Sequence, residues 1–490
     1  MFREERLLEQ LTSKSLILRI YDCTYFTLEA DNNMTLMKSP EAARENHCEV
    51  QTIQAENSQP EFQKQNIAAL PAEQPPKTIS DITIPETFLA NLLLKQAFYL
   101  EVFTLLDMTS LLKLNSAITL HLIDYLRREK YIEVRGSANL NGAATSISQN
   151  YRYSLNNTGK NRASQLFEFD NYVGPAPVSL EDYWRQVEGQ SIKDFQVHRH
   201  RLEQEFIGLV ISETLVDQLG PAVVSGKPIF IYGPPGNGKT AISLRLGGVM
   251  DDPVMVPYAL YVEGNVIRVF DEVTHRPVTG ESESLFKADG RWVKCQRPTV
   301  VVGGEMTLEM MDLSFNPILK YYEAPLQLKA NNGLFIVDDF GRQRIPPQEL
   351  LNRWIIPMEN RRDFLCLHTG QKFAVPFDQL IIFSTNLEPE SLVDAAFLRR
   401  LRHKIKLDHI NQEQFRAIFR GVCNNYQLEY SETVVNYLLA TYYDPFDRPM
   451  DACHPRDLVE QIIDIAKFLE ITPQLTPENI DRACKTYFVE

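Results

Sequence analysis

The spacing of apolar and polar residues divides the chain into segments of different kinds. Residues 1–30 contain one apolar, β-branched run, LILRIYDCTY, which predicts a strand or a short docking segment. Residues 31–80 are rich in Gln, Asn, Glu, Ala and Pro, and they carry too few apolar side chains to offset the entropy lost on ordering. We therefore expect a short N-terminal segment followed by a flexible linker.

Residues 81–170 have the pattern of a small domain with helices and a two-stranded sheet. Apolar residues recur at helical spacing in FLANLLLKQAFYLEVF, in DMTSLLKL and in SAITLHLIDYLRREK. The β-like stretches YIEVRG and YRYSL follow, separated by a polar loop, and a capped helix ends the segment. Three helices followed by a two-stranded wing predict a winged helix-turn-helix domain.

The rest of the chain contains a connector and a larger α/β region. The Pro-rich stretch VGPAPVS and the polar helical stretch after it predict a connector over residues 171–205. A new domain is predicted to begin near Phe206 and to extend over residues 206–405. Residues 406–490 are predicted to be helical.

Length and composition indicate a globular protein of several domains. At about 150 residues per domain, 490 residues suggest roughly three domains. The hydrophobic share of 44% excludes a mostly disordered or collagen-like chain. No apolar run approaches the roughly 18 residues of a membrane span, and the charged start MFREERLLEQ is unlike a secretory signal. We therefore expect a cytoplasmic protein with no membrane partner.

Charge and cysteine content argue against two further classes. The formal net charge of -14 opposes nonspecific attraction to nucleic acid, which depends on clustered Lys and Arg. The seven cysteines are spread singly, without a CxxC pair, and so indicate neither a zinc site nor a disulfide framework.

A phosphate-binding loop is the strongest chemical signal in the sequence. The strand PIFIY runs into a G-x-x-x-x-G-K-[ST] motif, and AISLRL continues it as a helix. Glycines let the loop aim its N–H groups at phosphate oxygens, a lysine meets the β- and γ-phosphates, and a threonine hydroxyl reaches Mg²⁺. The predicted nucleotide-binding residues are Gly233, Pro234, Pro235, Gly236, Asn237, Gly238, Lys239 and Thr240.

Polar side chains end two apolar strands further along the chain. In GLFIVDDFG, Asp338 is placed to hold Mg²⁺ through water, and Asp339 is placed to orient or deprotonate the attacking water. In QLIIFSTN, Asn386 follows a strand that is predicted to lie between the first two, where its amide would orient the same water. The alternative is that Asn386 begins an ordinary turn.

Arginines at two places are candidates for contacts with nucleotide phosphates. Arg399 and Arg400 lie near the end of a predicted helix and are placed to reach the γ-phosphate of a neighbouring subunit. A basic helix end also complements the helix dipole, so a structural role is an equal alternative for either residue. Arg456 opens a predicted helix, where a positive charge is unfavourable unless it faces a phosphate.

Taken in order, these motifs resemble those of the AAA+ ATPases over residues 206–490. The resemblance implies a three-layer parallel-sheet core with a C-terminal helical lid, and ATP and Mg²⁺ as cofactors. It also implies a role for each candidate: Lys239 and Thr240 in Walker A, Asp338 and Asp339 in Walker B, Asn386 as sensor 1, Arg399 or Arg400 as arginine finger, Arg456 as sensor 2, and Ile207 and Gly208 against adenine. The stretch FLCLHTGQKFAVP before Asn386 resembles the hairpin of the MoxR and RuvB branch.

Two features depart from the family's pattern. Asp339 stands where the family usually has Glu, so its carboxylate is one methylene shorter, which predicts slower water activation or a different geometry. The interval between Thr240 and Asp338 is longer than usual and predicts extra β-hairpins.

The preferred interpretation is a ring-forming ATPase, six-membered by family analogy, that couples ATP binding and hydrolysis to remodelling of a macromolecular partner. The winged-helix domain would recruit that partner. We expect a protein rather than DNA, because residues 81–170 hold nine acidic residues and nine Lys or Arg. The alternatives are a DNA-binding ATPase or transcription regulator, and a slow-hydrolysing, nucleotide-gated scaffold.

Overall fold

The computed structural model describes residues 17–19, 25–28, 34–36, 70–137, 151–278, 288–392 and 398–488. The chain divides into two compact units, Met1–Ile67 and Ala68–Glu490. The first unit contains a three-stranded antiparallel sheet made, in sheet order, of Ile17–Arg19, Tyr25–Leu28 and Met34–Leu36. The third strand lies inside the predicted 31–80 linker. This part of the linker forms a strand because its backbone pairs with that of Tyr25–Leu28.

Two segments predicted as linker and connector are packed parts of the second unit. Near the end of the predicted linker, Pro71–Glu73 forms a 3-10 turn whose buried residue Ala72 donates its N–H to Gln186 Oε1 at 2.9 Å. In the predicted 171–205 connector, Val178–Ser179 pairs in parallel with Ala259–Val262. Composition did not reveal these segments as ordered, because long-range hydrogen bonds and burial hold them in place.

The described part of residues 86–167 forms helices and a three-stranded sheet, one strand more than the two-stranded wing that the sequence predicted, and the winged-helix assignment stays a prediction. The helices are Glu86–Phe98, Leu105–Leu112, Ser116–Arg128 and Asn157–Phe167. The antiparallel strands, in sheet order, are Phe103–Thr104, Tyr151–Leu155 and Ile132–Ser137. Side-chain oxygens of Thr104, Asn115 and Asn156 accept backbone N–H bonds at the starts of the last three helices. These caps explain where the helices begin.

A five-stranded parallel sheet lies at the centre of the second unit. In sheet order its strands are Thr299–Val302, Leu334–Val337, Leu380–Thr385, Ile229–Tyr232 and His403–Lys406. Because successive side chains of a strand point to opposite faces, Ile229 and Ile231 join one apolar cluster and Phe230 joins another.

Helices cover both faces of this sheet. Those that pack into the cluster of Ile229 are Arg199–Glu205, Glu213–Val224 and Lys239–Val249. On the other face, Trp354 of the helix Pro347–Asn360 packs edge-on against Phe335, with ring centroids 5.0 Å apart. The predicted α/β fold with a parallel sheet is therefore confirmed.

The long interval between the phosphate loop and Asp338 contains short strands, and Ala259–Val262 with Asn265–Arg268 forms an extra β-hairpin of the kind predicted. They are Val254–Pro257, Ala259–Val262, Asn265–Arg268, Trp292–Cys295, Ser314–Phe315 and Tyr322–Glu323. The ring of Phe88 packs on that of Tyr261, with centroids 4.8 Å apart, and Ala259 and Val266 are buried in the core of residues 86–167. The strands Ala259–Val262 and Asn265–Arg268 therefore contribute to the apolar core of residues 86–167.

The hairpin predicted before Asn386 consists of the antiparallel strands Arg362–Cys366 and Lys372–Pro376.

The last part of the chain is helical. The C-terminal helices are Gln412–Asn425, Glu432–Leu438, His454–Phe468 and Pro477–Tyr487. They pack around their own buried cluster, which includes Phe415, Leu458 and Ile480. No helix in the described part of the chain is long and apolar enough to cross a membrane.

Candidate functional site

The phosphate loop of residues 233–240 joins the strand Ile229–Tyr232 to the helix Lys239–Val249. Gly233, Gly236 and Gly238 have φ angles of 137°, 80° and 82°. Side chains rarely tolerate this region, so glycine is required for the turn. A Cβ on Gly233 would also lie 2.0 Å from the Leu407 carbonyl oxygen. The glycines of the motif therefore permit the backbone conformation that the loop adopts.

Lys239 lies folded against the loop that precedes it. Its Nζ donates to the carbonyl oxygens of Gly233 at 2.9 Å and Pro234 at 2.7 Å. Burial lowers the pKa of Lys239, and the nearby charges of Asp339 and Asp338 partly oppose that shift. The ammonium group is thus held inside the loop, within the field of both acids.

Thr240 and Asp338 meet although 98 residues separate them along the chain. The Thr240 hydroxyl donates to both carboxylate oxygens of Asp338, at 3.1 and 2.9 Å. Asp338 directly follows the strand Leu334–Val337, which ends at the same edge of the sheet as the phosphate-loop strand. Ligands of parallel sheets bind at this edge, beyond the carboxyl ends of the strands.

The oxygen atoms of Thr240 and Asp338 fit Mg²⁺. This ion prefers oxygen ligands, and proteins usually hold it through one or two carboxylates together with substrate phosphates. Among the described residues, no group of three or more His, Cys, Asp or Glu side chains is placed to hold a metal ion.

Asp339 and Asn386 form the third polar contact of the site. Asn386 Nδ2 donates to Asp339 Oδ1 at 3.2 Å. The strand Leu380–Thr385, which precedes Asn386, lies between the phosphate-loop strand and the Asp338 strand, as the sequence predicted. Asp339 has a left-handed backbone with φ 48°, a conformation that Asp and Asn tolerate better than most residues. The turn thus holds this carboxylate at an exposed position beside the amide.

Sequence reasoning missed two polar residues that support the site. Gln343 Nε2 donates to the backbone carbonyls of Asp338 at 2.9 Å and Asp339 at 3.2 Å, and so braces the acidic turn. Asp451, from the C-terminal helical region, accepts a bond from Asn237 Nδ2 at 2.8 Å. A glutamine after a Gly turn and an Asp before a helix are common, so neither carried a distinct signal.

The three candidate arginines have exposed side chains. Arg400 Nε donates to Glu359 Oε1 at 2.5 Å, and Arg399 beside it is exposed. Residues 393–397, which the sequence places in the preceding helix, lie outside the described residues. The side chain of Arg456, in the first turn of its helix, is 62% exposed and pairs with Asp457 at 3.4 Å. Asp457 thus offers a local reason for a positive charge at the start of this helix. The contacts of Arg399, Arg400 and Arg456 with nucleotide phosphates stay predictions.

The predicted adenine-contact segment begins at a buried residue. Phe206 belongs to the same apolar cluster as Ile242 and Leu246 of the phosphate-loop helix. The next residues point outward: Ile207 is 72% exposed, and Gly208 adopts φ 90°. The segment is therefore anchored beside the phosphate-loop helix, while the contact of Ile207 and Gly208 with adenine stays a prediction.

Comparisons with known proteins identify one short family match. A domain of unknown function, DUF8689, matches residues 411–486, which is the C-terminal helical region. No curated protein matches the chain.

Solved structures resemble the chain only distantly. NtrX from Brucella abortus has a TM-score of 0.36 and 14% identity, over 56% of this chain and 55% of its own. Domain III of the Thermotoga maritima replication initiation protein DnaA has a TM-score of 0.34 and 14% identity, over 58% and 97%. A Thermotoga maritima RuvB variant has a TM-score of 0.33 and 12% identity, over 56% and 69%. The chain thus matches about half the length of NtrX.

Proposed function

We propose that the protein is an AAA+ ATPase that binds Mg·ATP at residues 233–240 and hydrolyses its terminal phosphoanhydride bond. The observation that carries the proposal is the bond from the Thr240 hydroxyl to the Asp338 carboxylate. It joins the start of the phosphate-loop helix to the end of a buried strand, beside the ammonium group of Lys239. A phosphate-binding lysine, a hydroxyl and a strand-end carboxylate are the groups that Mg·ATP requires.

Each side chain of the site has a role in this chemistry. The N–H groups of the loop and Lys239 would bind the phosphate oxygens, while Thr240 and Asp338 would hold Mg²⁺. Bound Mg²⁺ would neutralise charge on the transferred phosphoryl group. Asp339, held by Asn386, would accept a proton from the attacking water or orient it. Lys239→Ala tests nucleotide binding, and Asp339→Asn tests hydrolysis.

We propose further that the active form is a ring, with Arg399 or Arg400 acting on a neighbouring subunit's nucleotide. Both residues follow Leu398 in an exposed turn, where a partner subunit can approach them. Arg400 would have to exchange its bond with Glu359 for a phosphate contact. A hexamer is the expected size by family analogy.

Mixing two inactive variants is expected to restore ATPase activity. Lys239→Ala removes the phosphate-loop lysine, and the double variant Arg399→Ala/Arg400→Ala removes both finger candidates. Mixed rings contain some interfaces with an intact loop on one side and an intact arginine on the other, because a finger acts in trans. The measurement is steady-state phosphate release against mixing ratio, with each variant alone as control. Absence of rescue, with wild-type activity independent of protein concentration, would contradict the ring.

The face of residues 86–167 that would recruit a partner is a groove of about 810 Å³. Its lining residues are His121, Asp124, Arg127, Arg128, Ile132, Glu133 and Val134. The Arg127 guanidinium is paired with Asp124 at 2.9 Å. A groove of mixed charge with apolar residues suits a protein surface better than a phosphate backbone, which favours uncompensated cations. We therefore favour a protein partner over DNA.

The full-length protein is expected to bind duplex DNA weakly and without sequence preference. We expect dissociation constants of about 10⁻⁴–10⁻⁶ M at physiological salt, the range of nonspecific binding. Arg127→Ala/Arg128→Ala should reduce this binding equally for all sequences and flatten its salt dependence. Fluorescence anisotropy with several duplexes measures both effects. Nanomolar, sequence-selective binding would instead support the transcription-regulator alternative, which requires direct contacts to base edges.

A further inference from the structure

The tip of the phosphate loop is bonded to the C-terminal helical region. The Asn237 side chain is buried and bonds in both directions: its Nδ2 donates to Asp451 Oδ1 at 2.8 Å, and its Oδ1 accepts the Ala452 N–H at 3.0 Å. The Cys453 N–H also donates to the Gly236 carbonyl oxygen at 2.9 Å. Residues 451–453, which we call the lid turn, thus make three hydrogen bonds to the loop.

The packing between the loop and the lid turn is close. A Cβ on Gly236 would lie 2.6 Å from Cys453 Sγ, so a side chain here would force Cys453 to move, and the φ angle of 80° also favours glycine. The lid turn therefore follows the backbone of the loop itself, and a shift of either one must disturb the other.

Asp451 is the residue at which three parts of the chain meet. Its Oδ1 lies 2.6 Å from His409 Nδ1, and His409 follows the last strand of the parallel sheet. Its Oδ2 lies 3.6 Å from His454 Nε2, in the first turn of the helix His454–Phe468. With Asn237 as its third partner, the carboxylate joins the sheet, the phosphate loop and the C-terminal helices.

Asn237 occupies the part of the loop that most needs support. It stands between Gly236 and Gly238, which both have positive φ angles and little intrinsic conformational restriction. A loop of this kind loses much entropy when it is ordered around a ligand. Holding its central residue before the ligand arrives reduces that loss, because preorganised sites bind more tightly.

We propose that Asp451 is a positioning residue for the nucleotide phosphates: through Asn237 it holds the phosphate loop in its binding conformation. This role rests on the proposed function. It also means that the C-terminal region, which matches the domain of unknown function, takes part in nucleotide binding. Asp451 itself touches no phosphate in this scheme. Replacing Asp451 should therefore weaken the binding of ADP, which has a β-phosphate to place in the loop, more than the binding of AMP.

The first test needs no nucleotide. In full-length Asp451→Ala and Asn237→Ala, hydrogen exchange measured by mass spectrometry should accelerate at least severalfold in peptides that cover residues 236–238 and 451–453. Asp444→Ala, which removes an exposed carboxylate of the same C-terminal region, is the matched control and should leave both peptides unchanged. Unchanged exchange in the first two variants would overturn the proposed tether.

The second test measures affinity by competition with a fluorescent nucleotide. Asp451→Ala should weaken Mg·ADP by about 10-fold, the worth of roughly one charged hydrogen bond, and should weaken AMP by much less. Asn237→Ala should have a similar effect, and the double variant should be no weaker than either single one, because both act through one tether. Asp451→Asn, which keeps an acceptor oxygen, should partly restore the affinity for Mg·ADP.

The outcomes separate this proposal from the proposed function. Equal weakening of ADP and AMP would indicate a general loss of structure and overturn the positioning role. Additive effects in the double variant would overturn the shared tether. Failure of the wild-type protein to bind Mg·ADP would overturn the proposed function and the positioning role with it, while the exchange experiment would still show whether the lid turn holds the loop.

Discussion

Lys239→Ala is expected to lower the affinity for Mg·ATP by at least about 100-fold, because two or more charge-assisted hydrogen bonds to phosphate are worth about 3 kcal/mol or more. The ammonium group already sits within the loop, bonded to the carbonyls of Gly233 and Pro234. Binding ATP would exchange these neutral acceptors for phosphate oxygens. The same substitution should cost little stability, because burial disfavours the charge and lowers the pKa of Lys239.

Calorimetry with Mg·ATP, together with thermal unfolding, measures both expectations. Lys406→Ala is the matched control, because it removes an exposed lysine that pairs with Asp408 at the end of the neighbouring strand. It should bind Mg·ATP like the wild type. An unchanged affinity in Lys239→Ala, with the fold intact, would show that residues 233–240 do not bind the nucleotide.

Asp339→Asn is expected to retain ATP binding but to lower the hydrolysis rate by about 100-fold or more, the usual effect of losing a general base. The carboxylate is exposed beside the edge of the sheet and accepts a bond from Asn386 at 3.2 Å. Asn has the same shape, tolerates the left-handed backbone at this position and should leave the turn intact. The change therefore removes the proton acceptor with little effect on the fold.

Phosphate release at saturating ATP measures this loss, and calorimetry checks that binding remains. Asp408→Asn, a nearby exposed carboxylate, is the control and should hydrolyse normally. An Asp339→Asn variant as active as the wild type would exclude Asp339 as the base. A wild-type protein that binds ATP with almost no turnover would instead favour the scaffold alternative.

The hydrolysis-blocked variant also identifies the partner. Asp339→Asn should hold the ATP-bound state and retain partners that the wild type releases. Proteins recovered with this variant, and not with Lys239→Ala, would support a protein client. Recovery of specific DNA fragments would favour the regulator alternative.

The local parts of the site could be predicted from short stretches of sequence. The phosphate loop was predictable because its conformation depends on neighbours: three glycines permit positive φ angles, and a strand and a helix flank them. The acidic turn at Asp338 and the amide at Asn386 were predictable for the same reason, since each directly follows a run of buried strand residues. The capped helices of residues 86–167 also follow from local signals.

Several contacts between these parts and the rest of the chain could not be predicted in this way. Pairing between strands that are distant in sequence brings the Thr240 hydroxyl to the Asp338 carboxylate. Burial and one hydrogen bond order Ala72, in a segment whose composition predicts a linker. The bond between Asn237 and Asp451 spans 214 residues. Such contacts depend on packing between segments that are distant in sequence, so the spacing of residues along the chain does not predict them.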